Sequence, residues 1–469
     1  LYKHTPTGEE VRQRRLSQEA QLRRLHREQL FMGKRLRYRL PEESEYEFTP
    51  SDTAVITRGL KSTKHEDRME ALKSLSTKLE QPSEELRKFV ADGHCIDLLI
   101  RFLNGTDADE KLQSLWCLTN IAANEGALAE QVLPAVPYLI ALTASDNLEL
   151  KNQATWALGN LAAEGEKARE HLHASGALKP LVDLTSSTKD EKVLQTACFA
   201  LSNMARKPNT FFDELFALGL PQTIAKQLAV FKDSQGCVTE MAWVYAYLAA
   251  SSSETQVDQL LATGAVDLLL QHAAAVDKPG VSLIPIIRTL GNIVAGTDAQ
   301  THAVVSKEQF VQLIARCIRS SSSRAVEKES LWVLSSATAS KKDDIRIFVD
   351  AGVVPDLAQI VETQNFDIRK EAAFSLLNIA IVGERLADLP NAQLAPAFVE
   401  FVRSQDEELV RMGVQYFQII FTQLPDKQGP ELLRGVQGGI DALENVVAVS
   451  EDDDTRSMAS SLIDIYYGD

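Results

Sequence analysis

Two side chains recur at a fixed spacing, a large aromatic and, four residues on, an asparagine. They stand as Trp116/Asn120, Trp156/Asn160 and Phe199/Asn203, and the same slot later holds Trp243/Tyr247, Arg288/Asn292, Trp332/Ser336 and Phe374/Asn378. On a helix, residues i and i+4 share a face, so each pair sets a ring beside a carboxamide. Asparagine both donates and accepts, and an exposed row of them grips the N–H and C=O of a peptide without reading its side chains. Rings one interhelix distance apart, about 10 Å, leave slots for long aliphatic stems. Lysine or arginine stems fit there, with the cation against the π-faces and acids to finish it. The chemistry is capture of an extended peptide. Catalysis lacks support: no GxGxxG, P-loop, GxSxG or HExxH occurs, and Ser, His and Asp are scattered. The one close histidine pair, His171 and His173, does not share a helix face, so neither a metal site nor a cofactor is read.

The elements that must carry this ladder follow from its period. First members lie 40, 43, 44, 45, 44 and 42 residues apart. A sustained period above forty residues indicates stacked repeats, not several globular domains. Nearly everything from Ser51 onward reads as helix by apolar period, and no strand is read. A second signature recurs as Asp92-Gly93, Ser175-Gly176, Leu218-Gly219, Thr263-Gly264, Ala351-Gly352 and Gly438-Gly439. Glycine there ends one helix and turns the chain into the next. Each unit therefore reads as a short helix, a helix, a glycine turn and a longer helix carrying the aromatic/Asn pair. This is the armadillo pattern. The expected fold is all-α, a right-handed superhelical solenoid of about ten repeats whose third helices line one concave groove. Five cysteines without a CxxC read as buried thiols, not a disulfide frame. No apolar run approaches the length of a transmembrane helix, and residues 1–40 lack the apolar core of a signal peptide.

The net charge of −16 is unevenly shared: residues 1–40 carry eleven Lys/Arg against four acids, leaving −23 on the other 429. An acidic body argues against nucleic acid. Residues 9–39 read as a helix with a thin apolar stripe, too little to fold alone. Such an arm suits nucleic acid, a membrane surface or an acidic protein groove, and its few large apolar residues without Trp weaken the membrane reading. Residues 41–50 form an acidic, proline-bounded linker, and 51–469 the repeat array.

With these residues in view, the chain resembles the importin-α (karyopherin-α) family. The likeness is carried by Trp116-Cys-Leu-Thr-Asn120, Trp156-Ala-Leu-Gly-Asn160, Arg288-Thr-Leu-Gly-Asn292 through Asp298, Lys328-Glu329-Ser-Leu-Trp332, Lys370-Glu371-Ala-Ala-Phe374 and Gly438 through Tyr467. The arm, with Arg12, Arg14, Arg15, Arg23, Arg24, Arg27, Lys34 and Arg35, resembles the importin-β-binding segment. The resemblance implies a nuclear import adaptor that shuttles between cytoplasm and nucleus and binds basic localisation signals of cargo. It implies a major peptide site of Trp116, Asn120, Trp156, Asn160, Glu164, Phe199 and Asn203 with Arg206, joined by Glu240 and Trp243. The minor site it implies is Arg288, Asn292, Asp298, Glu329, Trp332, Glu371 and Asn378. It further implies that the last repeat meets an export receptor. Lys34-Arg35-Leu36-Arg37 has the shape of an import signal that could lie in the chain's own groove.

The departures are specific. Ala122-Ala123-Asn124-Glu125 stands where the family usually has Ala-Ser-Gly-Thr, and Ala129 where it has threonine, beside the deepest lysine pocket. Phe199 replaces a tryptophan, Ser336 and Phe374 thin the minor site, and the arm has an extra residue before Lys34. These suit a divergent importin-α-like member, similar to the transmembrane and coiled-coil domain-containing type, with a shifted cargo set. The alternative is a scaffold or dedicated chaperone that kept the peptide face for one partner.

Overall fold

The structure is a computed structural model that describes residues 49–468, apart from 81–82, 93, 125, 207–209, 321–322, 383–385 and 387–388. The basic arm and the linker up to residue 48 lie outside the described residues, and with them the eight arm positions named above. The described chain is helical throughout, without a strand. It falls into two compact units, up to His272 and from Ala273, with the division inside the helix Ala265–Ala275.

Ten ladder helices are present among the described residues, at the spacing the sequence predicts. They are α1 (His65–Lys78), α2 (Ala108–Ala122), α3 (Leu148–Glu164), α4 (Glu191–Met204) and α5 (Gln235–Ser251) in the N-terminal unit. The C-terminal unit has α6 (Ile284–Val294), α7 (Arg324–Thr338), α8 (Phe366–Val382), α9 (Glu407–Gln423) and α10 (Asp453–Tyr466). Within each unit, every ladder helix packs against the next.

The order inside a repeat corrects the sequence reading. The glycine turn does not precede the ladder helix; it lies one helix earlier. Gly176 joins Glu166–Ala174 to Leu178–Ser187 with φ +80°, and Gly219, Gly264, Gly352 and Gly438 turn the same corner at +71°, +75°, +75° and +66°. A Cβ is strained at such angles, which is why the position is kept as glycine. Several ladder helices start at a polar cap. The Asp107 carboxylate accepts from the Asp109 and Glu110 N–H groups, the Asn147 carbonyl oxygen from Glu149 and Leu150, and Asp190 from Val193. Each cap satisfies donors that the first helical turn leaves open. All five cysteines are buried, and burial pushes the Cys95 thiol up to about 12.

One packing contact explains the glycines inside ladder helices, where glycine costs helix stability. A Cβ on Gly159 would lie 2.6 and 2.7 Å from two Phe199 ring carbons, and one on Gly291 would overlap the Trp332 indole. At these two positions the ring of the following repeat packs against the helix before it, and only hydrogen leaves room. Gly159→Ala is expected to destabilise the chain by about 1–3 kcal/mol through overpacking, read as a lower urea midpoint. An unchanged midpoint would show that the Phe199 ring is not confined there.

Candidate functional site

The asparagines tie the repeats together. Asn120 donates through Nδ2 to the Ser76 carbonyl at 3.0 Å, Asn160 to Thr119 O at 3.2 Å, Asn203 to Gly159 O at 3.3 Å and Asn378 to Ser335 O at 2.9 Å. In each case the acceptor sits one position before the ladder slot of the preceding helix. The sequence reading took the row as exposed and unnecessary for packing. Instead Asn160 and Asn203 are fully buried and Asn378 nearly so, because a carboxamide that bridges two packed helices must lie between them. The Oδ1 atoms of Asn160 and Asn203 are buried with no hydrogen-bond partner among the described residues.

The rings depart from the expected slots as well. Trp116 and Trp156 are half-buried, and their ring centroids lie 6.2 Å apart with planes inclined at 68°. They make an edge-to-face contact in place of parallel walls one interhelix distance apart. Phe199 and Trp332 pack against Gly159 and Gly291. Those two rings sink to 6% and 5% exposure. Trp243 is also buried, inclined at 31° against its own Tyr247 at 5.9 Å.

The acids and basic groups of the N-terminal unit are partly engaged. Glu164 Oε1 accepts the Gly126 N–H at 2.6 Å, across the turn that holds Asn124. Asn124 donates to the Asn120 carbonyl at 2.7 Å, and Ala129 is fully buried. Glu240 is buried and Arg206 half-buried. All the major-site residues implied by the resemblance therefore lie on α2 to α5 and the turns that follow them, within one compact unit.

In the C-terminal unit the implied residues pair with one another. Arg288, wholly buried on α6, donates to Glu329 of α7 at 2.5 Å. Ser336 turns back to its own helix and donates to the Trp332 carbonyl at 3.1 Å, so it makes no asparagine-like tie to α6. Asn292, Asp298 and Glu371 are half-buried. Sequence reasoning missed the docking positions Ser76, Thr119, Gly159, Gly291 and Ser335; for Gly159 and Gly291 a glycine within a helical run was the signal. It also missed the cluster of His65, Asp107 and Glu110, whose ligand atoms lie within 4.8 Å of one another. Arg68 already shares the Glu110 oxygen at 2.7 Å, so the cluster is an ion-pair network joining α1 to α2.

Comparison with known proteins follows this geometry. Residues 108–161 and 149–204 match the HEAT-like repeat family. Importin subunit alpha-9 of Arabidopsis thaliana is 34% identical over 394 residues, covering 80% of this chain and 74% of that protein. Importin subunit alpha-2 of Oryza sativa subsp. japonica is 31% identical over 422 residues, covering 86% and 78%. The chain belongs to the importin-α family. A crystal structure of an engineered protein superposes with a TM-score of 0.75 at 23% identity, covering 88% of this chain and 98% of that one, which supports the all-α repeat fold. This importin-α relative is therefore an armadillo-type repeat protein and not an enzyme. No helix among its described residues is long and apolar enough to cross a membrane.

The buried Arg288–Glu329 pair gives a test of how the C-terminal unit is held. Glu329→Ala leaves a guanidinium without this carboxylate and is expected to cost about 3 kcal/mol, whereas replacing both residues by leucine recovers most of that loss. Denaturant unfolding of the three chains reads the difference, and equal losses in both variants would show that the charge pair is not what matters.

Proposed function

We propose that this chain is a nuclear import adaptor. The ladder face of the N-terminal unit binds an extended basic signal peptide of cargo through Trp116, Asn120, Trp156, Asn160, Phe199 and Asn203, with Glu164, Glu240 and Trp243 around them. The face bearing Arg288, Asn292, Asp298, Glu329, Trp332, Glu371 and Asn378 forms a second, weaker site. Residues 1–40, with Arg12 to Arg35, bind importin-β, residues 41–50 link them to the array at 51–469, and the last repeat meets the export receptor. The protein shuttles between cytoplasm and nucleus.

The observation that carries this reading is the pair of buried, unpartnered Oδ1 atoms on Asn160 and Asn203. A buried acceptor without a donor is costly, and buried polar groups are almost always paired. Two of them one repeat apart, on the side chains that already use Nδ2 to hold the stack, await main-chain N–H groups. Family membership supplies the class of peptide.

Substituting both asparagines by alanine is expected to weaken a basic signal peptide about 30-fold, at roughly 1 kcal/mol for each hydrogen bond, measured by fluorescence anisotropy. Unchanged affinity would remove the backbone grip. The adaptor itself is tested by pull-down of importin-β with the full chain and with a chain lacking residues 1–40, each with and without Ran-GTP. Capture by the full chain alone, released by Ran-GTP, is expected; failure of the full chain to capture importin-β would sink the adaptor. The engaged Glu164 and buried Ala129 favour a second reading, a chaperone for one cargo. A panel of unrelated signal peptides separates the two, since several binders support the adaptor and none the chaperone.

A further inference from the structure

We propose that two histidine–carboxylate clasps between the short first helices of consecutive repeats, His173–Glu214 and His302–Asp344, tighten the stack when their imidazoles are protonated. The array then responds to pH across the histidine range, whether or not its ladder face binds a peptide.

Away from the ladder, a second set of side chains joins repeat to repeat. His173, on the helix Glu166–Ala174, meets Glu214 of Phe212–Ala217 at 2.7 Å, and His302, on Asp298–Val305, meets Asp344 of Lys342–Asp350 at 2.7 Å. The partners stand 41 and 42 residues apart, one repeat, and each acid lies in the first turn of its helix. The His173 ring also stacks on Phe211, with centroids 4.5 Å apart and planes at 16°, so an imidazolium there has a carboxylate at its edge and a π-face beneath it. Asp344 is 1% exposed, and its second oxygen accepts from Ser340 Oγ at 2.7 Å. A buried carboxylate is costly unless it is paired, and His302 is the group that can bring it a positive charge.

The surrounding charges leave both clasps in place. The helix of His173 packs against α3, which carries Glu149, Lys151 and Glu164, the last bound at Gly126. Arg169, on the same helix as His173, reaches the Ala162 carbonyl. The helix of His302 packs against α6, Glu308–Ser320 and Lys342–Asp350. There Arg288, Arg319 and Arg346 are paired with Glu329, Asp356 and Asp343, and Arg316 with the Ala273 carbonyl; Lys342, Glu308 and Asp350 complete the set.

A neutral imidazole donates one N–H to the carboxylate. Protonation adds a full charge to the same contact, and a hydrogen bond between ions is about twice as strong as a neutral one. Histidine is the side chain that takes up this charge between about pH 5 and 8. The sign follows: the added tie is present in mild acid and is lost as pH rises through that range. The same row of helices contains its own control, because Gln256 of Glu254–Ala262 donates to Asp213 at 2.8 Å through an amide that does not titrate.

Hydrogen exchange of the full chain, read by mass spectrometry at pH 5.5 and 7.5 and corrected for the intrinsic pH dependence of exchange, tests the clasps. Protection of Phe212–Ala217 and Lys342–Asp350 is expected to be about 2–5-fold greater at pH 5.5, the usual worth of an exposed ion pair, with Glu254–Ala262 unchanged. His173→Gln and His302→Gln each keep a donor that cannot take a proton, and each should remove the pH effect at its own clasp and leave the other. Equal or weaker protection at pH 5.5 in both clasped helices would overturn the proposal. So would a change of the same size in all three helices, or a pH effect that persists at a clasp carrying glutamine. If a variant fails to fold, the comparison of the three helices in the natural chain decides.

Discussion

A single hydrogen bond recurs between ladder helices: an asparagine Nδ2 donating to a backbone carbonyl of the helix before it. A helical carbonyl already accepts an N–H from its own helix, but it has a second lone pair. The bond therefore adds a partner without breaking the helix that supplies the acceptor. Because it is made to the backbone, it accepts any residue at the docking position, whether Ser76, Thr119, Gly159 or Ser335. At Gly159 it coincides with a ring contact, since Phe199, four residues before Asn203, packs against the same glycine. The two features that looked independent in sequence, the aromatic and the asparagine, are halves of one joint.

The same bond narrows what the face does. With Nδ2 committed between helices, Asn160 and Asn203 keep only a buried Oδ1 acceptor without a partner among the described residues. On the proposed peptide reading they would receive main-chain N–H groups, half of the bidentate grip expected from the residue type being spent on holding the stack. A peptide N–H that reaches them also relieves a buried, unsatisfied acceptor.

Much of this was legible beforehand. The period located the repeats, the glycine turns at Gly176, Gly219, Gly264, Gly352 and Gly438 fell where the signature put them, and the family followed from motifs that the relatives share. Position within the repeat was less legible. The glycine marks the corner before the second helix, and the cap residues Asp107, Asn147 and Asp190 that open ladder helices were not read as caps. Burial was misjudged because helical spacing reports which residues share a face, and not whether that face meets solvent or a neighbouring helix. The slot between Trp116 and Trp156 was misjudged for a related reason. Interhelix distance separates axes, while the gap between rings follows from how the two indoles meet, edge to face at 6.2 Å.

The two units solve the joint differently. Between α6 and α7 the asparagine is missing, since Ser336 bonds to its own helix, and the buried Arg288–Glu329 pair links the two helices. Charge continues to do this work further along, where Asp367 of α8 accepts from Arg324 and Lys328 of α7, Lys370 of α8 donates to Glu408 of α9, and Arg411 of α9 meets Asp452 at 2.6 Å. A neutral tie spends no acid, whereas an ion pair does. Glu329, held against a wholly buried guanidinium, presents little net charge to a ligand. Among the described residues, the N-terminal unit is joined by carboxamides at Asn120, Asn160 and Asn203 beside the Arg68–Glu110 ion pair, and the C-terminal unit by a carboxamide at Asn378 and several ion pairs.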